Sequence, residues 1–186
     1  MNSVLRHLPN TLTGARLLAA PAIAFLLLRG RFVEAFAVFV LAGLSDAVDG
    51  YLAKRLAPGS RFGVYLDPAA DKLLMLFSFV TLTRLGITPV WLTLVVIARD
   101  IAIILGIAAA RSLALPIRIA PLAVGKASTA IQVFYIGMVL FFLAFNIEAE
   151  GLRMAAGLAT AILTVASAFS YGQVWLKAFA LRRRTA

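Results

Sequence analysis

At 186 residues, 62% of them apolar and with a mean hydropathy of +0.97, the chain is too apolar for a soluble domain, which runs about 45–50% apolar, and it leaves no room for a separate soluble domain. Cysteine is absent, which excludes disulfides and thiolate metal sites, and a single histidine, His7, argues against a histidine-ligated metal. The net charge of +10 is read as loops facing anionic lipid headgroups, with no nucleic-acid partner.

Several stretches reach the roughly 20 residues that cross a bilayer, and six are read in order. Residues 1–9 form a short lead ending at Pro9, after which Asn10 and Thr11 can cap a helix. The apolar run after Arg6 continues into a multi-span chain, so an uncleaved first helix is expected rather than a signal peptide. Span one covers Leu12 to Leu28, and Arg29-Gly30-Arg31 makes the turn. Span two covers Val33 to Leu56 and is closed by the breaker Ala57-Pro58-Gly59-Ser60. Span three covers Phe62 to Leu85, with a turn at Gly86 to Pro89. Span four, Val90 to Ala110, holds Arg99-Asp100 in its middle, and residues 111–123 form the longest basic loop. Span five covers Gly125 to Phe145, and span six covers Leu152 to Ala180 after a short acidic turn.

Six spans place both termini on one side. That side collects Arg6, Lys54, Arg55, Arg61, Arg111, Arg118, Lys126, Lys177 and Arg182 to Arg184. The other collects Arg29, Arg31, Arg84 and Arg153 beside Glu34, Glu148 and Glu150. The basic-rich side is expected to be cytoplasmic. The expected fold is therefore all-α and integral to the membrane: one domain, 1–186, with six transmembrane helices and both termini inside.

Four of the eight acidic residues lie between Asp46 and Asp71. A carboxylate in hydrocarbon costs roughly 2.5–3.5 kcal/mol on insertion scales. Four together also repel one another, so the cluster calls for divalent cations. Asp46 and Asp49, three apart, share a helix face, and so do Asp67 and Asp71, four apart. Spans two and three are joined by a short loop, so the late part of one lies beside the early part of the other. The four carboxylates can then converge near the cytoplasmic end. Oxygen ligands without His or Cys suit Mg²⁺ or Mn²⁺, and two such ions are a common device for in-line phosphoryl chemistry. Gly50 and Gly63 let a ligand approach the backbone. Lys54, Arg55 and Arg61 offer charge to phosphate oxygens. These features point to a diphosphate substrate at the membrane surface. The competing readings are capping carboxylates in interfacial salt bridges, and a small transporter or ion pathway. A transporter would spread its charges along the membrane normal rather than gather them at one end.

The same residues resemble the signature of the CDP-alcohol phosphatidyltransferases, Asp-x2-Asp-Gly-x2-Ala-Arg-x8-Gly-x3-Asp-x3-Asp. Asp46, Asp49, Gly50, Ala53, Gly63, Asp67 and Asp71 meet its fixed positions, and Lys54, followed by Arg55, stands where the family has arginine. The resemblance implies a six-helix fold, a homodimer, and two divalent metals held by Asp46, Asp49, Asp67 and Asp71. It also implies that Asp71 is the general base for the acceptor hydroxyl, that the Gly50 region faces the cytidine, and that the basic position holds the diphosphate. A lysine there keeps the charge but loses the bidentate fork. Arg55 points about 100° away on a helix.

Leu8-Pro9-Asn10-Thr11-Leu12-Thr13 with Arg16, and Leu66-Asp67-Pro68-Ala69-Ala70-Asp71-Lys72, look like segments shared by two branches of that family. One branch makes phosphatidylglycerophosphate from glycerol 3-phosphate, and the other makes cardiolipin from phosphatidylglycerol. Ile97-Ala98-Arg99-Asp100, Lys126 to Gln132 and Ala166 to Tyr171 are more similar to the cardiolipin branch. The expected reaction is transfer from CDP-diacylglycerol to phosphatidylglycerol with release of CMP, at the cytoplasmic face of a bacterial inner membrane. Glycerol 3-phosphate is the alternative acceptor. Arg118 and Lys126 are the candidate acceptor cations, with a solvated positive loop as the competing reading. The small residues from Ala155 to Ala168 permit either a gap for a lipid acceptor or tight helix packing.

Overall fold

In the computed structural model the backbone is described for residues 3–56, 63–113 and 123–185, and the side chains for 16–45, 70–110, 112–113 and 123–176. Among the described residues there are six helices and no strand. They are α1 (Ser3–Leu28), α2 (Phe32–Leu56), α3 (Gly63–Arg84), α4 (Val90–Ser112), α5 (Ala123–Ala144) and α6 (Glu150–Thr185). Val90–Ala110, Ala123–Ala144 and Glu150–Leu176 are each long and apolar enough to cross a bilayer. Shorter apolar stretches occupy Arg16–Leu28 of α1 and Phe32–Ser45 of α2.

The expected helices all form, with one displaced start. Helix α1 begins at Ser3, not at Leu12, and runs through Pro9. Proline removes one N–H and crowds the carbonyl four residues earlier, a local cost that helix on both sides of it absorbs. The capping signal of Asn10 and Thr11 is therefore not used as a helix start. Helix α6 also extends beyond its expected span, starting at Glu150 and running to Thr185.

Three helices end in the same way. After α1, Gly30 N–H donates to Leu27 O at 3.0 Å and Arg31 N–H to Leu26 O at 2.9 Å. After α3, Gly86 N–H donates to Thr83 O at 2.9 Å and Ile87 N–H to Leu82 O at 3.0 Å. After α5, Asn146 N–H reaches Leu143 O at 3.5 Å and Ile147 N–H reaches Phe142 O at 2.8 Å. These are Schellman closures, which satisfy the orphan carbonyls of a helix end and need one left-handed residue. Gly30 (φ 70°), Gly86 (φ 73°) and Asn146 (φ 52°) supply it.

The chain divides into two compact units. The first holds residues 1–88 and 136–149, and the second holds 89–135 and 150–186. In the first, α1 packs against both α2 and α3. The buried residues of α1, Arg16, Ala20, Ile23 and Leu27, recur at spacings of four, three and four, which makes one helix face. Those of α2 are Ala35, Phe39 and Ala42, and α3 contributes Leu74, Ser78, Phe79 and Leu82. Phe36 stands edge-on to Phe141 at 5.7 Å and to Phe145 at 6.3 Å, tying the start of α2 to the end of α5. Ser78 satisfies its hydroxyl on Leu74 O within its own helix at 2.8 Å.

In the second unit α4 packs on α6. The inward face of α6 is Gly157, Thr160, Thr164 and Ser167, and that of the first half of α5 is Gly125, Ser128, Gln132 and Tyr135. Both keep the three-four spacing of a packed helix seam. Leu92 and Tyr135 close over Gly157. Gln132 Nε2 donates to Thr164 Oγ1 at 3.1 Å and to Ser128 Oγ at 3.3 Å. Small residues let helices approach in lipid, and hydrogen bonds across them contribute about 0.6 kcal/mol each on average. The residues of α6 that face its neighbours are thus filled contacts. Of the two readings left open for Ala155 to Ala168, tight packing is the one seen at these positions.

Candidate active site

The first unit brings a buried arginine to an open carboxylate. Arg16 lies on the face of α1 that carries Ala20, Ile23 and Leu27, so its guanidinium is carried into the α1–α3 seam. Asp71 lies in the third turn of α3, in register with Leu74, Ser78 and Leu82. Arg16 Nη1 donates to Asp71 Oδ1 at 2.7 Å. The two side chains differ in exposure: Arg16 is 2% accessible and Asp71 46%. A guanidinium taken out of water needs a counter-charge, and Asp71 supplies one. The carboxylate itself is part-exposed.

Backbone register extends this picture. The buried positions 35, 39 and 42 of α2 continue, at the same three-four spacing, through positions 46, 49 and 53. The register of Asp71 in α3 runs back through position 67. The side chains of Asp46, Asp49 and Asp67 lie outside the described residues, as do those of Ala53, Lys54 and Arg55. Gly50 lies within α2 and Gly63 opens α3. Arg61 and Arg118 are outside the described residues altogether, and Lys126 is exposed in the first turn of α5. Of the expected aspartates, Asp71 is therefore the one whose surroundings are described. Its contact to Arg16 was not foreseen. The available signal was a charged residue in phase with the apolar stripe of span one.

The second unit joins three segments that the sequence offered separately. Arg99 of α4, 7% exposed, donates through Nη1 to Asp100 Oδ1 at 2.8 Å. Its Nη2 and Nε reach Ser167 Oγ of α6 at 2.8 and 3.3 Å, and Nη2 reaches Gly125 O of α5 at 3.4 Å. One guanidinium thus ties three helices together, its charge offset by Asp100, inside a stretch apolar enough to span a bilayer. These contacts occupy Arg99 structurally.

Among the described residues the chain combines bilayer-length apolar helices with an aspartate-rich stretch whose last aspartate is held by a buried arginine. The chain matches the family model "CDP-alcohol phosphatidyltransferase" over residues 6–171 and belongs to that family. The family generally uses divalent metals, and with the apolar helices this membership makes the chain an integral membrane protein. It is 33% identical over 180 residues to proteins named cardiolipin synthase (CMP-forming) from Rattus norvegicus and Homo sapiens, covering 88% of this chain and 60% of each relative. It is 30% identical over 172 residues to a probable phosphatidylglycerophosphate synthase from Mycobacterium tuberculosis (strain H37Rv), covering 89% of this chain and 79% of that one. The chain thus spans about 60% of the length of the rat and human proteins.

Proposed function

We propose that this chain transfers the phosphatidyl group of CDP-diacylglycerol to a hydroxyl of phosphatidylglycerol, releasing CMP and forming cardiolipin. The observation that carries the reading is Asp71: last in the aspartate-rich signature, half-exposed, and anchored from behind by Arg16. Asp71 accepts the proton of the acceptor hydroxyl. The hydroxyl oxygen then bonds to the phosphorus that bears the diacylglycerol, the bond from that phosphorus to the CMP oxygen breaks, and CMP departs. Gly50, Ala53 and Gly63 leave room for the nucleotide, while Lys54, Arg55 and Arg61 hold the diphosphate.

The donor set fits hard divalent cations. The signature offers four aspartates, the sequence has no cysteine and one histidine, and Asp71 is open to a ligand. Asp46, Asp49, Asp67 and Asp71 would hold two ions, Mg²⁺ or Mn²⁺, which when bound neutralise the diphosphate and the charge that develops on it. Six transmembrane helices in one domain, 1–186, with cytoplasmic termini and active site in a bacterial inner membrane, and a homodimeric assembly, complete the reading. Membership of a phosphatidyltransferase family speaks against the transporter.

The names of the rat and human relatives support phosphatidylglycerol as acceptor, and that of the mycobacterial relative supports glycerol 3-phosphate. A soluble dianion calls for a compact basic pocket, to which Arg118 and Lys126 would contribute; a lipid diester calls for less charge. Purified protein given CDP-diacylglycerol and each acceptor separately separates the two. CMP release with phosphatidylglycerol is expected. Release with glycerol 3-phosphate and none with phosphatidylglycerol transfers the reading to the second acceptor.

A further inference from the structure

We infer that Arg16 is a positioning residue for the reaction, setting the orientation of the Asp71 carboxylate from inside the α1–α3 seam. The inference rests on the phosphatidyl-transfer reading of Asp71. Three observations carry it. First, the contact is short and charge-assisted, Nη1 to Oδ1 at 2.7 Å, the kind of bond that fixes a carboxylate's rotation. Second, the arginine is enclosed by packed helix. It is 2% accessible, and the residues that follow on its face, Ala20, Ile23 and Leu27, are no more than 1% exposed. Ala70, beside Asp71 on α3, is equally sealed at 1%. The donor is therefore built into packed helix rather than carried on a mobile side chain. Third, burial is one-sided. A staple that served only to join two helices would have both partners sealed, whereas here Asp71 is 46% accessible. A carboxylate held by a fixed donor and still part-exposed suits a reacting group.

The role divides kinetic constants in a way that a merely structural role does not. Misorienting Asp71 slows the proton transfer and leaves the binding of the CDP-lipid alone. The test measures CMP release by the full-length protein in liposomes over a range of CDP-diacylglycerol concentrations. The variants are Arg16→Gln, Arg16→Lys and, as a control for arginine loss, Arg31→Gln, whose exposed pair with Glu34 lies at the start of α2. For Arg16→Gln, kcat is expected to fall about 100-fold with KM unchanged within about twofold. Lysine keeps the charge but not the fixed fork, so Arg16→Lys is expected to lose about tenfold in kcat, again with KM held. Arg31→Gln matches the wild type. Wild-type kcat in Arg16→Gln, or a loss explained by KM, overturns the inference. If Arg16→Gln does not fold, Arg16→Lys decides alone: a kcat loss at constant KM supports the role, and wild-type kcat overturns it. A wild type that releases no CMP with any alcohol defeats the phosphatidyl-transfer reading and this inference with it. A wild type that releases CMP, matched by its Arg16 variants, defeats the positioning role alone.

Discussion

Asp71 shows what a residue type and a spacing can reveal, and where they stop. Four clustered aspartates in an apolar chain without cysteine suggest a cation site, because ionised carboxylates in hydrocarbon need counter-charge. The guanidinium that meets Asp71 lies 55 residues away, and although Arg16 stands out in the apolar stripe of span one, nothing near it in the sequence names its partner. Arg99 and Ser167 are 68 residues apart, and their contact was equally illegible, although the segments that hold them had been singled out. Local pattern reports which residues share a face; it does not report which face meets which. The residue-scale prediction concerns the cluster as a unit. Asp46→Asn, Asp49→Asn, Asp67→Asn and Asp71→Asn each remove a charged oxygen ligand while keeping size, so each is expected to lower CMP release by at least about 100-fold, and a chelator is expected to abolish it. The measurement is CMP release by folded, purified variants with Mg²⁺ or Mn²⁺ added back. Full activity in chelator, or in two of the four variants, rules out a two-metal site.

At the scale of elements, the helix ends were legible where the backbone needs a special residue. Gly30 and Gly86 were read as turns, and both take the left-handed conformation that closes a helix. The start of α1 was misread because Pro9 followed by Asn10 and Thr11 is a strong capping signal, and the helix runs through it. The small residues of α6 were ambiguous for a different reason: a small side chain permits either a gap or a close approach, and only the neighbour decides. Gly106 shows the close approach in its tightest form. The indole of Trp175 lies directly against it, where a Cβ would have to sit. Gly106→Ala is therefore expected to destabilise the second unit by about 1–3 kcal/mol, the usual cost of overpacking. The Tm of the purified protein should fall in that variant, and Gly106→Ala combined with Trp175→Leu should recover much of the loss. An unchanged Tm in Gly106→Ala means that the ring moves aside freely and the seam is loose there.

For the whole molecule, charge is the link between sequence and function. In the six-span reading the basic residues gather at one set of ends, and the aspartates are proposed to lie on that side, facing the cytoplasm. Single cysteines test this cleanly in a chain that has none. A cysteine at Ser60, between α2 and α3, and one at Glu148, an exposed position between α5 and α6, are expected to label from opposite sides of sealed membranes. Labelling of both from one side overturns the six-span topology. The overall class was legible because composition and spacing act over the whole chain, whereas the choice of acceptor depends on contacts that neither encodes. Whether the phosphatidyl group comes from the CDP-lipid is decided by one extension of the CMP assay. Purified protein receives CDP-diacylglycerol and phosphatidylglycerol with acyl chains of different mass, and the product is weighed. Phosphatidyl transfer predicts cardiolipin that carries both sets of chains, formed in step with CMP and only when the CDP-lipid is present. Cardiolipin built from phosphatidylglycerol chains alone, without CMP, contradicts it.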